Sequence, residues 1–369
     1  MSDKVLAVSL GPLTSFDAGL GEFARRLGEG LAAHAPMWRS LGVELCFHME
    51  RRLHGAFGDA VSYLAYRPRD RFMPWRLPGC VLWHSTFQHN ITRPPAGVRH
   101  RVLTVHDLNY RYAGLRPGSL RDRWRTRIAI ARSTSLVTIS RYVGADVASN
   151  VRWRGPIRTI YNGVTDLSAF AQQPVPDLAG RRFFLHVSRM APSKNVGAIV
   201  ALARAWPERT FVLAGPAWGH SKWLADELAG TMPNVHVLLG VDDSVKAWLL
   251  ANCEAFLFPS LAEGFGLPPI EAMHFGTPVF LSDRTSLPEV GGTHAGYFEE
   301  FSATAMRKVI EAELPRLQAS REATRSWAQT FTWDRCVAGY VDLYAGALPA
   351  ELGALASESA RTPVVTNAR

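Results

Sequence analysis

Two successive α/β units, each built on a parallel sheet, are what this sequence predicts, and three observations predict them. Short continuous apolar runs alternate with stretches of helical spacing, the pattern of parallel strands buried on both faces. The alternation pauses once, in an aperiodic segment bearing Pro and Gln, and then restarts. A chain of 369 residues that is 47% hydrophobic and 20% charged is long enough for two cores, and its composition excludes a disordered or fibrous protein.

The first strand is expected over residues 5–10, where VLAVSL is followed by a glycine-bearing turn at 17–21 and a helix starting near Glu22. VLWHS at 81–85 and RVLTVHD at 101–107 are further short apolar runs closed by breakers, and LVTIS at 136–140 and IRTIYNG at 157–163 follow. Residues 1–165 then form the first domain, and DLSAFAQQPVPDLAG at 166–180 reads as the linker. The second domain, 181–334, restarts the alternation with FFLHVS at 183–188, TFVLAG at 210–215, VHVLLG at 235–240, EAFLFPS at 254–260 and TPVFLS at 277–282. Residues 335–348 form a C-terminal helix expected to return to the first domain, and 349–369 read as a disordered tail.

The four cysteines, at 46, 80, 253 and 336, are widely separated, which excludes a disulfide scaffold and a cysteine zinc site and fits a reducing compartment. No segment reaches the roughly 18 apolar residues needed to span a bilayer. The apolar start after Lys4 lacks an A-x-A-like cleavage site and reads as a strand, so a cytoplasmic protein is expected. Charge is divided unevenly. Residues 1–165 hold 24 of the 41 Lys and Arg but only 11 of the 32 Asp and Glu, a net of +13, which leaves −4 for the remainder. The basic half could face nucleic acid, an anionic membrane or an acidic substrate, or be an arginine-rich solvated surface. It carries no interleaved aromatic–basic motif, so no nucleic-acid partner is expected.

The richest loops follow strands of the second half. Arg189 and Lys194 come directly after FFLHVS and precede a helix, the place where an open parallel sheet binds ligands and where a diphosphate would find cations. Taken alone they read as surface cations beside a turn. Glu263 and Glu271 flank the loop Gly264-Phe265-Gly266, and Pro268-Pro269 fit the first turn of a helix carrying Glu271. Such a loop offers backbone N–H groups at a positive helix end, and the carboxylates can accept hydrogen bonds from sugar hydroxyls.

Together these segments resemble the retaining glycosyltransferases of family 4. The carriers are SRMAPSKN (Ser188 standing where the family usually has Gly), PSLAEGFGLPPIEAMHFGTPV, SLPEVGG at 286–292, YNGV at 161–164 and FTWD at 331–334. The resemblance implies the GT-B fold, two Rossmann-like α/β domains facing across a cleft, and transfer of a hexose from a nucleotide-diphosphate sugar. It further implies that Arg189 and Lys194 neutralise the donor diphosphate and that Glu263, Gly264, Phe265 and Gly266 hold the donor sugar. Glu271 would bind ribose, Leu267 would line the phosphate pocket, and Gly215 and Val241 would frame the base. His106, just after a strand end, would touch the donor sugar, and Gly19 and Gly21 would form a loop near the phosphates. His84 is a weaker candidate.

The resemblance is nearest to bacterial mannosyltransferases of surface polysaccharide assembly, with GDP-mannose the first expected donor and UDP-sugars the next. No metal and no further cofactor are expected. Arg121, Arg125 and Arg132 fall in a helical stretch and could bind an anionic inner-membrane surface or a lipid-linked glycan acceptor. Alternatives at this point are a sugar-nucleotide-binding scaffold without turnover and a basic nucleic-acid-binding protein.

Overall fold

The computed structural model describes residues 4–111, 120–350 and 352–354. The chain divides into two compact units: one runs to Gly163 and resumes at Thr332, and the other is Val164–Phe331.

The first unit contains β1 (Lys4–Gly11), α1 (Ala18–Ala33), α2 (Ala35–Ser40), β2 (Val43–Met49), β3 (Ser62–Ala65), β4 (Cys80–Ser85) and β5 (His100–Val105). It continues with α3 (Leu120–Ala131), β6 (Ser135–Thr138), α4 (Arg141–Asn150) and β7 (Ile157–Thr159). The strands form one parallel sheet in the order β3-β2-β1-β4-β5-β6-β7. β1 is buried from Val5 to Gly11 because apolar residues fill both faces, as a strand covered on both sides requires.

The second unit contains β8 (Phe183–Val187), α5 (Val196–Ala205), β9 (Thr210–Gly215), α6 (His220–Leu228), β10 (Val235–Leu239), α7 (Asp243–Asn252) and β11 (Ala255–Phe258). It continues with α8 (Leu267–His274), β12 (Val279–Ser282), α9 (Leu287–Gly291), β13 (Ala295–Phe298), α10 (Ala303–Ala319) and α11 (Arg321–Ala328). Its parallel sheet has the order β10-β9-β8-β11-β12-β13. Strand order reverses between β8 and β11, which makes that junction the topological switch point.

Two features differ from expectation, and the C-terminal helix adds detail to a third. The segment 166–180 packs on the second unit rather than running free. Leu167 and Leu178 are buried, the Gln173 N–H donates to the Ser244 carbonyl at 3.1 Å, and Asp166 lies 3.7 Å from His274. The helix after β1 begins at Ala18, so Gly19 and Gly21 sit in its first turn and do not form a loop. Gly21 is there because a Cβ would lie 2.4 Å from the backbone of Phe16, whereas Gly19 faces open space. The C-terminal helix is α12 (Trp333–Ala345), and it completes the first unit's core: Cys336, Val337, Tyr340, Val341 and Tyr344 pack with Phe23, Leu27 and Leu31 of α1. Each such large side chain contributes about 1.5–3 kcal/mol of burial. Most of the stretch read as a disordered tail lies outside the described residues, although 352–354 are helical.

Candidate functional site

The second unit brings the sequence-predicted residues to the carboxyl ends of its strands. After β8 the chain makes a tight turn, with Met190 at φ 52° and Asn195 at φ 53°, before entering α5. A buried relay fixes that turn. His186 Nδ1 lies 2.8 Å from the Leu257 carbonyl, which can only accept, so Nδ1 carries the hydrogen. Nε2 therefore accepts from the Ser188 hydroxyl at 2.7 Å, and that hydroxyl accepts from the Met190 N–H at 2.8 Å. Burial lowers the His186 pKa to about 4, and the nearby Lys194 charge acts the same way against the Leu257 hydrogen bond. Ser188 has a physical role here: its hydroxyl closes the relay.

Lys194 Nζ donates to Glu263 Oε1 at 2.5 Å, and both side chains are mostly buried, at 16% and 12% exposure. The ammonium also sits 5.4 Å from the Phe258 ring centroid. Because Lys194 follows β8 and Glu263 follows β11, this pair stands at the switch point. Arg189 is exposed and has no side-chain partner among the described residues. The loop after β11 is braced from two sides. The Ser193 carbonyl accepts from the Leu261 N–H at 2.7 Å and from the Ser260 hydroxyl at 3.0 Å. The Ser286 hydroxyl donates to the carbonyls of Glu263 and Phe265, and the Glu263 N–H donates to Thr285 Oγ1 at 3.0 Å. Phe265 is buried edge-on to Phe331, with ring centroids 5.8 Å apart. Gly266 adopts φ +113°, a conformation L-residues avoid, and a Cβ there would meet Leu287 at 2.9 Å. Leu267 then opens α8 with two prolines in its first turn.

Glu271, on α8, is held by a residue the sequence reading missed. Lys246 Nζ, on α7, lies 3.1 Å from Glu271 Oε1 and 3.4 Å from Asp243. Burial works against the Lys246 charge, but the two carboxylates outweigh it and its pKa is raised. The available signal was VDDSVK: Asp242 caps α7 by accepting from the Val245 N–H at 2.9 Å, which fixes where Lys246 points. Gly215 ends β9 and accepts from the Gly240 N–H at 2.8 Å, and Val241 is half-buried beside it in sequence. The second unit thus collects two lysine–glutamate pairs, an open arginine and a glycine loop at one end of one sheet.

In the first unit, His106 follows β5 and is almost fully buried. Its Nε2–H donates to the Thr86 carbonyl at 2.9 Å, its N–H donates to Gln88 Oε1 at 3.1 Å, and its ring meets Phe23 edge-on. Desolvation lowers its pKa to about 4, so it is neutral at pH 7 with the lone pair on Nδ1. His84, a weaker candidate, belongs to the core. It bonds Tyr344 OH at 2.6 Å and Thr104 Oγ1 at 2.8 Å, stacks on Tyr340, and burial drops its pKa to about 3.

The arginines expected to share a binding face do not behave alike. Arg121 is exposed on α3 and Arg125 is half-buried, while Arg132 lies past the helix end and donates to the carbonyls of Arg71 and Ile91. Arg132 is therefore a brace for the backbone rather than a surface contact. Among the described residues no helix is long and apolar enough to cross a membrane, and no cluster of three or more His, Cys, Asp or Glu could hold a metal ion.

This architecture, two Rossmann-like α/β units each on a parallel sheet, is the GT-B fold. Residues 170–327 match the family model described as Glycosyl transferases group 1, so that stretch is a group 1 glycosyltransferase domain. The chain resembles bacterial mannosyltransferases: it is 30% identical over 184 residues to the O-antigen chain mannosyltransferase B of Escherichia coli, covering 45% of this chain and 46% of that one. The chain thus spans about half the length of the curated relatives it matches. Among solved structures, the sucrose-phosphate synthase of Thermosynechococcus elongatus superposes with a TM-score of 0.69 at 18% identity, covering 93% of this chain and 98% of that one. HepE from Anabaena, solved in complex with UDP and glucose, superposes at 0.66 with 17% identity over 93% of this chain and 100% of that one.

Proposed function

We propose that this chain is a retaining hexosyltransferase that moves a sugar, mannose from GDP-mannose in the first instance, onto a hydroxyl of a glycan or lipid-linked acceptor in surface polysaccharide assembly. The observation that carries the reading is the Lys194–Glu263 pair at the β8/β11 switch point, inside the matched glycosyltransferase domain. Negative charge develops on the departing nucleoside diphosphate, and Lys194 with the open Arg189 would stabilise it there. Glu263 and the backbone of Gly264, Phe265 and Gly266 would hold the donor sugar, Leu267 would line the phosphates, and Glu271, oriented by Lys246, would accept from the ribose hydroxyls. Gly215 and Val241 would frame the base. His106, neutral with a free Nδ1 lone pair, would accept a hydrogen bond from a sugar hydroxyl.

Retention fits same-face displacement, in which the leaving phosphate takes the acceptor proton. Positioning and charge stabilisation would then supply most of the acceleration. Support for mannose comes from the Escherichia coli mannosyltransferase, and HepE, solved with UDP and glucose, keeps UDP-sugars as the next donors. Arg121 and Arg125 would give a cytoplasmic enzyme peripheral contact with an anionic membrane. The test is a thermal-shift panel of nucleotide sugars followed by analysis of the product's anomeric configuration. A donor at a hundredfold excess over its Kd stabilises by about 2.7 kcal/mol. A panel in which GDP- and UDP-sugars all fail to shift the melt, or an inverted product, sinks the proposal.

A further inference from the structure

The helix α3 carries a second arginine pair that the sugar-transfer reading does not use. Residues advance about 100° per position around a helix, so Arg123 and Arg127 lie on the far side of the buried stripe from Arg121 and Arg125. They line a cavity of about 300 Å³ in the first unit together with Arg111, Arg152, Tyr110 and Trp153. None of its eleven lining residues is acidic. Arg111 is aligned by donating to Asn150 Oδ1 at 2.5 Å, and Asn150 in turn donates to the Asp146 carboxylate at 2.6 Å. Arg123, Arg127 and Arg152 have no carboxylate partner among the described residues. Burial raises the Tyr110 pKa; the Arg111, Arg123 and Arg127 charges pull it back, and the Asp146 carboxylate adds to the rise.

Like charges gathered in a concave site repel one another unless a counter-charge is supplied. A second, independent observation indicates where that counter-charge would bind. The Thr126 side chain lines the same cavity, is fully buried, and its hydroxyl has no hydrogen-bond partner; the Trp153 indole N–H is likewise orphaned. Buried hydroxyls in helices ordinarily bond back to a carbonyl one turn earlier, and buried donors left unmade are rare. Guanidinium forks match the oxygens of a phosphate bidentately, and the aromatic residues Tyr110 and Trp153 line the same cavity.

We infer that this cavity is a second anion site, formed wholly within the first unit, that takes a sugar phosphate ester through Arg111, Arg123, Arg127 and Arg152, with the Thr126 hydroxyl completing the phosphate's hydrogen bonds. The ester is either soluble or the head of a lipid. The full-length protein is titrated with glucose 1-phosphate by calorimetry, and separately pelleted with vesicles of phosphatidylcholine with and without phosphatidylglycerol. The variants are Arg123→Gln/Arg127→Gln and Thr126→Val, with Lys194→Ala silencing the proposed donor site.

Binding of glucose 1-phosphate that survives Lys194→Ala and falls at least tenfold in Arg123→Gln/Arg127→Gln supports a soluble ligand. Pelleting with anionic vesicles alone, lost in the same double variant, supports a lipid head. Equal affinity of wild type and double variant for both probes overturns the site. Should the double variant fail to melt cooperatively, Thr126→Val decides. It keeps every native hydrogen bond, so weaker binding at an unchanged melting temperature supports the site, and unchanged binding overturns it.

Discussion

Removing the Lys194 ammonium tests the proposed donor site most directly. At 2.5 Å and an effective dielectric of about 20, the Lys194–Glu263 attraction is gross about 6–7 kcal/mol, most of it offset by the cost of taking both charges out of water. The net coupling expected for such a pair is about 1–3 kcal/mol. Lys194→Ala strands a carboxylate with 12% exposure, so it should destabilise the fold by more than that coupling, up to about 3–5 kcal/mol. Glu263→Ala added to it should recover part of the loss. Turnover behaves differently, because a cation aimed at developing charge typically supplies ~10²–10³ in kcat. The double variant should therefore regain stability without regaining activity. Urea melts of the four proteins of the cycle, with donor-consumption rates on the same preparations, read both quantities. Near-normal turnover of Lys194→Ala would show that its ammonium faces only Glu263. Strictly additive stabilities would show that the pair is not coupled.

Other expected outcomes follow from the same geometry. Glu271→Ala should lower turnover sharply, leave Lys246 with Asp243 as its only carboxylate partner, and raise the KM for the nucleotide sugar; an unchanged KM removes Glu271 from the site. Ser188→Gly strips the hydroxyl from the His186 relay and should cost about 1–3 kcal/mol, read from urea melts; a silent substitution would mean the relay holds nothing. Gly21→Ala should destabilise because its Cβ meets the Phe16 backbone, while Gly19→Ala in the same helix turn should be neutral or stabilising by up to ~1 kcal/mol; equal effects would refute the helical assignment. The pH dependence has a definite sign. His84, His106 and His186 have folded pKa values near 3, 4 and 4 against an ordinary 6.5, so below pH 6.5 the unfolded chain binds protons that the folded chain does not. Stability is then full above pH 6.5 and falls as pH drops toward about 4, each histidine adding up to ~1.4 kcal/mol per pH unit. A melting temperature that is flat between pH 7 and pH 5 would contradict that burial.

Much of the architecture was legible because its carriers are local. Runs such as FVLAG and FFLHV are apolar on both faces, and only a parallel strand covered on both sides uses such a run in so few residues. Strands that mix polarity were missed. β2 interleaves an exposed Glu44 and a buried His48 with its apolar residues, and β3 is only four half-buried residues. The glycine pair at 19 and 21 looked like a loop because glycine is a poor helix former, yet packing against Phe16 demands one of the two. At the candidate site, Lys194, Glu263 and Glu271 stand out in the sequence as parts of a motif, but the pairing of Lys246 does not. Its partner is 25 residues away, and only folding brings α7 and α8 together. Arg132 shows the converse, since its charge is visible in sequence and its service to two backbone carbonyls is not.

The return of the chain to its first unit sets the order of events during synthesis. α12 supplies Tyr340 and Tyr344, and the latter bonds His84 in the middle of the first sheet. Until those residues leave the ribosome, the first unit lacks a wall of its core, whereas the second is continuous from Val164 to Phe331 and complete by then. At about 5–20 residues per second, the first unit waits roughly 10–30 s, its apolar sheet face unsealed, while the second is made and folds. The N-terminal half is thus the last to finish, and the nascent chain's exposure to chaperones is set by the length of the unit inserted into it.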